Sequence, residues 1–287
     1  IFGTQVMIDW DAYQLFNTAD PTPGTAGELS TDYFSKRGPG AGTNFVYQKQ
    51  PSFLGMPGVT DGVFDAWGIH DTGFDNLGAG QRSIQPDTEW RGRVRWQHRQ
   101  QLENNFILSA ELGLVSDLNF LQQYYYDEWN QLKDQNTNLE LKQILDNSSW
   151  SVFGQVRPND FFTQTEWLPR LDHFWLGQPL FGDRLTWYEH SQASYARLRT
   201  ETPPTIYQGY PFILMPWEEQ VEGGRFATRQ ELDLPLEAGP VKIVPYALGE
   251  LAYWGEALDG DSLSRFYYQL GARASIPFWN ADPLIEN

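Results

Sequence analysis

The sequence predicts an all-β fold, an antiparallel up-and-down transmembrane β-barrel, and three observations carry that expectation. Residues 265 to 278 alternate almost without error, with Phe266, Tyr268, Leu270, Ala272, Ala274, Ile276 and Phe278 on one side and Arg265, Gln269, Arg273 and Ser275 on the other. Ordinary strands stop at about 5–6 residues, whereas a strand that crosses lipid needs roughly 9–11. The second observation is that charge runs in stripes along single strand faces, which only water can accept. The third is an aromatic content of 12 Trp, 14 Tyr and 18 Phe, the residues that girdle a barrel where lipid meets water. Mean hydropathy is nevertheless negative, the formal charge is −17, and no apolar run reaches the roughly 18 residues of a membrane helix. A barrel reconciles these facts, because every second residue faces the lumen and dilutes the average. A soluble β-sandwich with a Trp-rich core or a sugar-binding face is the alternative that composition leaves open.

A chain of 287 residues can bury its own core, so residues 1–287 are read as one barrel domain. There is no cysteine, which excludes disulfides and thiolate metal sites. The chain opens on Ile1-Phe2-Gly3 inside the alternation Val6, Ile8, Trp10 and Ala12, with no basic and apolar leader. The expectation is a fragment, a curved and incomplete barrel wall of about 12 strands, since a strand holds roughly ten residues. The acidic balance argues against nucleic acid as a partner.

Strands are expected near 3 to 16, 28 to 37, 41 to 49, 88 to 101, 105 to 115, 137 to 146, 149 to 157, 163 to 175, 184 to 200, 224 to 237, 241 to 254 and 264 to 279, with a weaker one near 59 to 69. Three of them define the faces. Arg91, Arg93, Arg95 and Arg99 oppose Val94 and Trp96; Ser109 and Glu111 oppose Phe106, Leu108, Ala110, Leu112 and Leu114; Arg225, Arg229, Glu231, Asp233 and Glu237 oppose Phe226, Leu232, Leu234 and Leu236. Each Arg or Lys at mid-bilayer would cost about 2–4 kcal/mol, so these stripes face a polar lumen. Leu118, Leu121, Tyr125, Trp129 and Leu132 recur at helical spacing after Ser116 and Asp117, either of which could cap a short helix. Segments 17 to 27, 50 to 87 and 202 to 222, rich in Pro, Gly and Asp, read as the long loops of one barrel end.

A succession of short motifs then resembles a known family. Asp32-Tyr33-Phe34-Ser35-Lys36-Arg37-Gly38-Pro39-Gly40 ends a strand in an Arg-Gly turn. It is followed by Arg91 to Arg99, by Leu114-Val115-Ser116-Asp117 with Phe120, Leu121 and Tyr124, and by Glu166-Trp167-Leu168-Pro169-Arg170-Leu171. Arg229 to Pro235 and Val244-Pro245-Tyr246 with Tyr253 close the series. In order and spacing these resemble the barrel domain of the outer-membrane LPS-assembly protein family (LptD, organic solvent tolerance protein). The resemblance implies integral placement in the outer membrane of a Gram-negative-type bacterium and delivery of lipopolysaccharide to its outer leaflet. It further implies an LptE-like lipoprotein plug, an LptA-like periplasmic bridge docked on an N-terminal jelly-roll, no cofactor and no enzymatic step. The jelly-roll, the terminal strands and the family's cysteines are not found in this sequence. A general porin is the alternative within the membrane.

Residues with possible chemistry are weighed against plainer roles. Asp127-Glu128 and Glu218-Glu219 are adjacent acids, which on a strand point to opposite faces and make no acid–nucleophile pair, whatever Trp129 and Trp217 could offer a sugar. His70, His98, His173 and His190 lack metal-ligand spacing. Gly38 to Thr43 lacks the ending of a phosphate loop and reads as a turn. Asp259-Gly260-Asp261-Ser262 reads as a hairpin turn rather than a calcium loop. The stripe Arg91, Arg93, Arg95 and Arg99 is the one patch suited to lipid A or core phosphates, with pairing to Glu111, Glu89 or other lumen acids as the competing role.

Overall fold

Long strands and turns dominate the computed structural model, which describes residues 1–18, 22–202, 215, 217 and 219–278. The first half forms β1 (Gln5–Asp11), α1 (Ala12–Leu15), β2 (Thr25–Phe34), β3 (Gly38–Phe53), β4 (Met56–His70), the short pair β5 (Asp75–Asn76) and β6 (Arg82–Ile84), β7 (Trp90–Gln101) and β8 (Phe106–Val115). Two five-residue helices follow, α2 (Phe120–Tyr124) and α3 (Tyr126–Asn130). The remainder forms β9 (Thr137–Leu145), β10 (Ser148–Val156), β11 (Gln164–Leu180), β12 (Leu185–Arg199), β13 (Glu222–Asp233), β14 (Leu236–Ala238), β15 (Val241–Trp254) and β16 (Leu263–Ser275).

Apart from β5 and β6, which pair with each other, the strands make one 14-stranded antiparallel sheet in which chain neighbours are sheet neighbours, except that β13 and β14 do not pair with each other and both pair with β15. The sheet stays open, because β1 and β16 are its edges and do not pair with each other. This up-and-down meander is the incomplete barrel wall that the alternation predicts. Connections are short at one end, as at Leu54–Gly55 and Asp146–Asn147, and long at the other, as at residues 71–89 and 116–136.

The two faces differ as the stripes require. In register, Arg91, Arg93 and Arg95 lie beside Ile69, Trp67 and Asp65, and Arg225, Arg229 and Glu231 lie beside Trp254, Glu250 and Leu248. Ion pairs run along this polar face, Arg273 to Asp233 at 2.9 Å and Arg265 to Glu250 at 2.9 Å among them. The opposite face carries Leu139, Leu171, Phe226, Leu251 and Leu270, all exposed, Leu270 at 75%. Among the described residues nine hydrophobic side chains are buried against nineteen polar or charged ones. A soluble sandwich would bury its apolar strand faces; here they point out, as they do where lipid is the outer solvent.

Several expected boundaries shift. The first strand ends at Asp11, whose carboxylate accepts the Gln14 amide at 3.0 Å and caps α1. Residues 38 to 43 open β3 instead of forming a turn, and in the expected loop 50 to 87 residues 50 to 53 complete β3 while residues 56 to 70 form β4, which contains the weaker strand expected near 59 to 69. The helical segment 118 to 132 divides into α2 and α3, and neither Ser116 nor Asp117 caps α2, whose N-cap is Asn119. The last strand stops at Ser275, two residues before Pro277, which has no amide to continue the ladder. Much of the expected loop 202 to 222, including Glu218, lies outside the described residues.

Candidate functional site

At the long-loop end of the polar face, four segments deliver five charged side chains to one buried point. Arg37 comes from the three-residue turn between β2 and β3, where Gly38 has φ +131° and an added Cβ would come within 2.2 Å of the His70 carbonyl oxygen. Only glycine tolerates that backbone and that approach. Asp71 and Asp75 follow β4, Arg91 begins β7, and Asp117 follows β8.

The Arg37 guanidinium donates to Asp71 at 2.8 Å, to Asp75 at 2.9 Å and to the Phe74 carbonyl at 2.7 Å. Arg91 forks onto Asp117 at 2.8 and 2.9 Å and reaches Asp75 at 2.7 Å and Asp71 at 2.9 Å. Both arginine side chains are fully buried, as are those of Asp71 and Asp75. Tyr124 closes the cluster by donating to Asp71 at 2.6 Å, with its ring 5.7 Å from the Arg37 guanidinium and 5.6 Å from that of Arg91. Burial works to raise the Asp71 carboxyl, yet the hydrogen bonds from Tyr124 and Gly73 and the charges of Arg37 and Arg91 outweigh it and hold the carboxyl below its usual range. Burial and the bond to Asp71 push the Tyr124 hydroxyl up. Such pairing is what makes buried charge tolerable.

Beyond this cluster the loop carrying α2 and α3 folds over the polar face. Phe120 and Leu121 pack with Phe34, Ile69 and Val115 in the one apolar cluster among the described residues. Glu128 of α3 meets Arg93, which also pairs with Asp65 at 2.9 Å and lies 3.5 Å from the Tyr125 ring centre. Arg95 is 3.4 Å from the same Glu128. Of the predicted arginine stripe, Arg91 and Arg93 are therefore committed to protein carboxylates, Asp71, Asp75, Asp117, Asp65 and Glu128, rather than to Glu111 or Glu89. Arg95 is partly accessible. Arg99 is exposed and lines a groove of about 480 Å³ with Asp61, Gln97 and Glu111.

The other motif positions hold structure. Ser116 donates to Asp117 at 2.8 Å, beside its two bonds from Arg91. Leu168 and Pro169 fall where the β11–β12 register skips between Trp167 and Arg170. Pro235 sits in the break between β13 and β14, and the Leu234 amide bridges that break to the carbonyl of Pro245 on β15 at 2.9 Å. Each histidine has an acidic or aromatic neighbour: His70 lies 3.4 Å from Glu89, His98 2.8 Å from Tyr47, His173 2.6 Å from Glu189 and His190 3.1 Å from Asp172. Asp259 accepts the Asp261 amide at 3.2 Å inside the last hairpin. Asp71 and Asp75 went unnoticed in the sequence because they lay in a stretch read as loop. The signal was present as two acids four apart, lying in the sequence between Arg37 and Arg91.

Residues 89–262, well over half of the chain, match the family model for LptD, LPS transport system D. The chain belongs to the LptD family. The match spans β7 to the last hairpin and includes Arg91 and Asp117, two members of the buried cluster. No curated protein matches the chain. Membership in LptD places the wall and its cluster in a family of lipopolysaccharide transport, a transport and assembly role rather than an enzymatic one.

Proposed function

We propose that this wall forms part of the route by which lipopolysaccharide enters the outer leaflet of a Gram-negative-type outer membrane. The observation that carries the reading is the inverted partition of the sheet, with ion pairs and buried charge on one face and exposed Leu, Phe and Val on the other, in a chain of the LptD family. The polar face suits the saccharide, and the acyl chains leave sideways into lipid, where burying each methylene contributes about 0.8 kcal/mol. No covalent step and no cofactor is needed. Within this reading the partners are an LptE-like lipoprotein against the polar face and an LptA-like bridge delivering from the periplasm. Arg95 and Arg99 are the stripe members placed to meet a phosphate. A general porin fits less well, because α2 and α3 lie across the lumenal face where a porin keeps open water.

The test is depletion of the full-length protein in its own cells with measurement of surface lipopolysaccharide, paired with a photo-crosslinker at Arg99 on the polar face or at Leu251 on the apolar one. Loss of surface lipopolysaccharide on depletion and saccharide adducts at Arg99 alone are expected. Unchanged surface lipopolysaccharide would overturn the reading.

A further inference from the structure

A second feature of the polar face lies on the opposite half of the wall from the buried cluster. Near the long-loop end, arginine and aromatic side chains alternate across it. Phe153 of β10 is followed by Arg170 and Trp167 of β11, Arg225 of β13, Trp254 of β15 and Arg265 of β16. The Arg170 guanidinium carbon is 4.7 Å from the Phe153 ring centre and 5.2 Å from that of Trp167. Arg225 is 5.9 Å from Trp167 and 5.7 Å from Trp254, and Arg265 is 5.5 Å from Trp254. These separations lie within the range of cation–π attraction.

The three arginines are not equivalent. Arg170 is neutralised by Asp172 at 2.7 Å and Arg265 by Glu250 at 2.9 Å. Arg225 pairs with no carboxylate among the described residues, and its buried Nε has no hydrogen-bond partner. In a chain of formal charge −17, a partly buried cation that meets neither a carboxylate nor a carbonyl among the described residues stands out. The intervening strand keeps the place open, since the β12 residues beside Trp167 and Arg225 are only Ala196 and Ser194. The result is a cleft of about 300 Å³ lined by both indoles and Arg225. Two acids also line it, and both are engaged by the protein: Glu256 accepts the Glu222 amide at 2.7 Å, and the Glu222 carboxylate lies 3.8 Å from Arg197.

We propose that this cleft is a binding site for a sugar ring carrying an anionic group, a phosphate or a carboxylate. The indoles meet the C–H face of the ring, and Arg225 takes the anion in the two-pronged geometry that guanidinium favours. The proposal rests on the lipopolysaccharide reading and deepens it by naming a point on the wall where a saccharide pauses.

Calorimetry on the full chain in detergent tests it, with delipidated core oligosaccharide as the probe and its phosphatase-treated and carboxyl-reduced forms beside it. Arg225→Gln is expected to weaken binding at least about tenfold, Arg225→Lys less, since a point charge survives but the fork is lost. Arg184→Gln, in the exposed turn between β11 and β12 at the short-connection end of the wall, is expected to bind as the parent does. Whichever modified probe loses affinity identifies the anion. Parent-like binding by both Arg225 variants, or no binding by the parent, overturns the cleft. The surface-lipopolysaccharide assay on cells carrying Arg225→Gln separates the two readings: normal delivery with no Arg225 dependence in the calorimeter removes the cleft and leaves the transport role standing.

Discussion

Single side chains decide the chemistry of the sealed end. Asp71 accepts from Arg37, Arg91, Tyr124 and the Gly73 amide, so its carboxylate is held against burial by four donors. Its folded pKa lies below its unfolded value, so the folded state binds fewer protons. The associated stability is complete above the unfolded value of about 3.9 and is lost as pH falls through the folded one. Thermal unfolding of the detergent-solubilised protein should therefore fall steeply between neutral pH and strong acid. Asp71→Asn should cost about 3–5 kcal/mol at neutral pH, as breaking a buried pair does, and should flatten that acid slope. An equal slope in parent and variant would place the acid sensitivity elsewhere.

At the scale of elements, the loop bearing α2 and α3 is held to the wall by Phe120 in the apolar cluster and by Glu128 on Arg93. Phe120→Ala should remove about 3–5 kcal/mol of packing, expose the Lys133 segment to limited trypsin and raise permeability to a large hydrophilic dye in reconstituted vesicles. Trypsin resistance equal to the parent would show that the loop is anchored otherwise. Elements also set what could be read in advance. The alternation of β16 and the stripes of β7, β8 and β13 are close to period two, and these strands appear where expected, although β16 stops at Ser275 and the expected strand 224 to 237 breaks at Leu234 and Pro235 into β13 and β14. β4 was harder to see because Gly58, Gly62 and Gly68 interrupt its apolar pattern. The structure supplies the reason: a Cβ at Gly62 would come within 2.2 Å of the Tyr47 hydroxyl, so the glycine makes room for an aromatic side chain of the neighbouring strand. Such cross-strand exchanges of bulk are invisible to periodicity within one segment. The acids of the cluster were hidden for a related reason, since their partners lie on other strands and only pairing brings them together.

For the molecule as a whole, the inverted partition predicts that two adjacent residues respond oppositely to one change. Gln192 and Ala193 sit mid-strand on β12, Gln192 on the polar face with its amide 3.2 Å from Asp172, and Ala193 exposed on the apolar face beside Phe226. Ala193→Arg should cost about 2–4 kcal/mol in a bilayer, whereas Gln192→Arg should keep a partner in Asp172 and cost little. Folding yields into lipid vesicles measure the difference, and equal yields would contradict the assignment of faces.

The buried arginine–aspartate cluster has a kinetic meaning as well. Its members come from the turn after β2, the loop after β4, the start of β7 and the loop after β8, so the latch cannot close until β2, β3, β4, β7 and β8 all stand in register. Neighbouring hairpins can form early, being local in the chain. A slip of one residue anywhere along those five strands turns a charge to the wrong side and leaves the latch open. Closure is thus a proofreading step, made only by a wall that has assembled correctly.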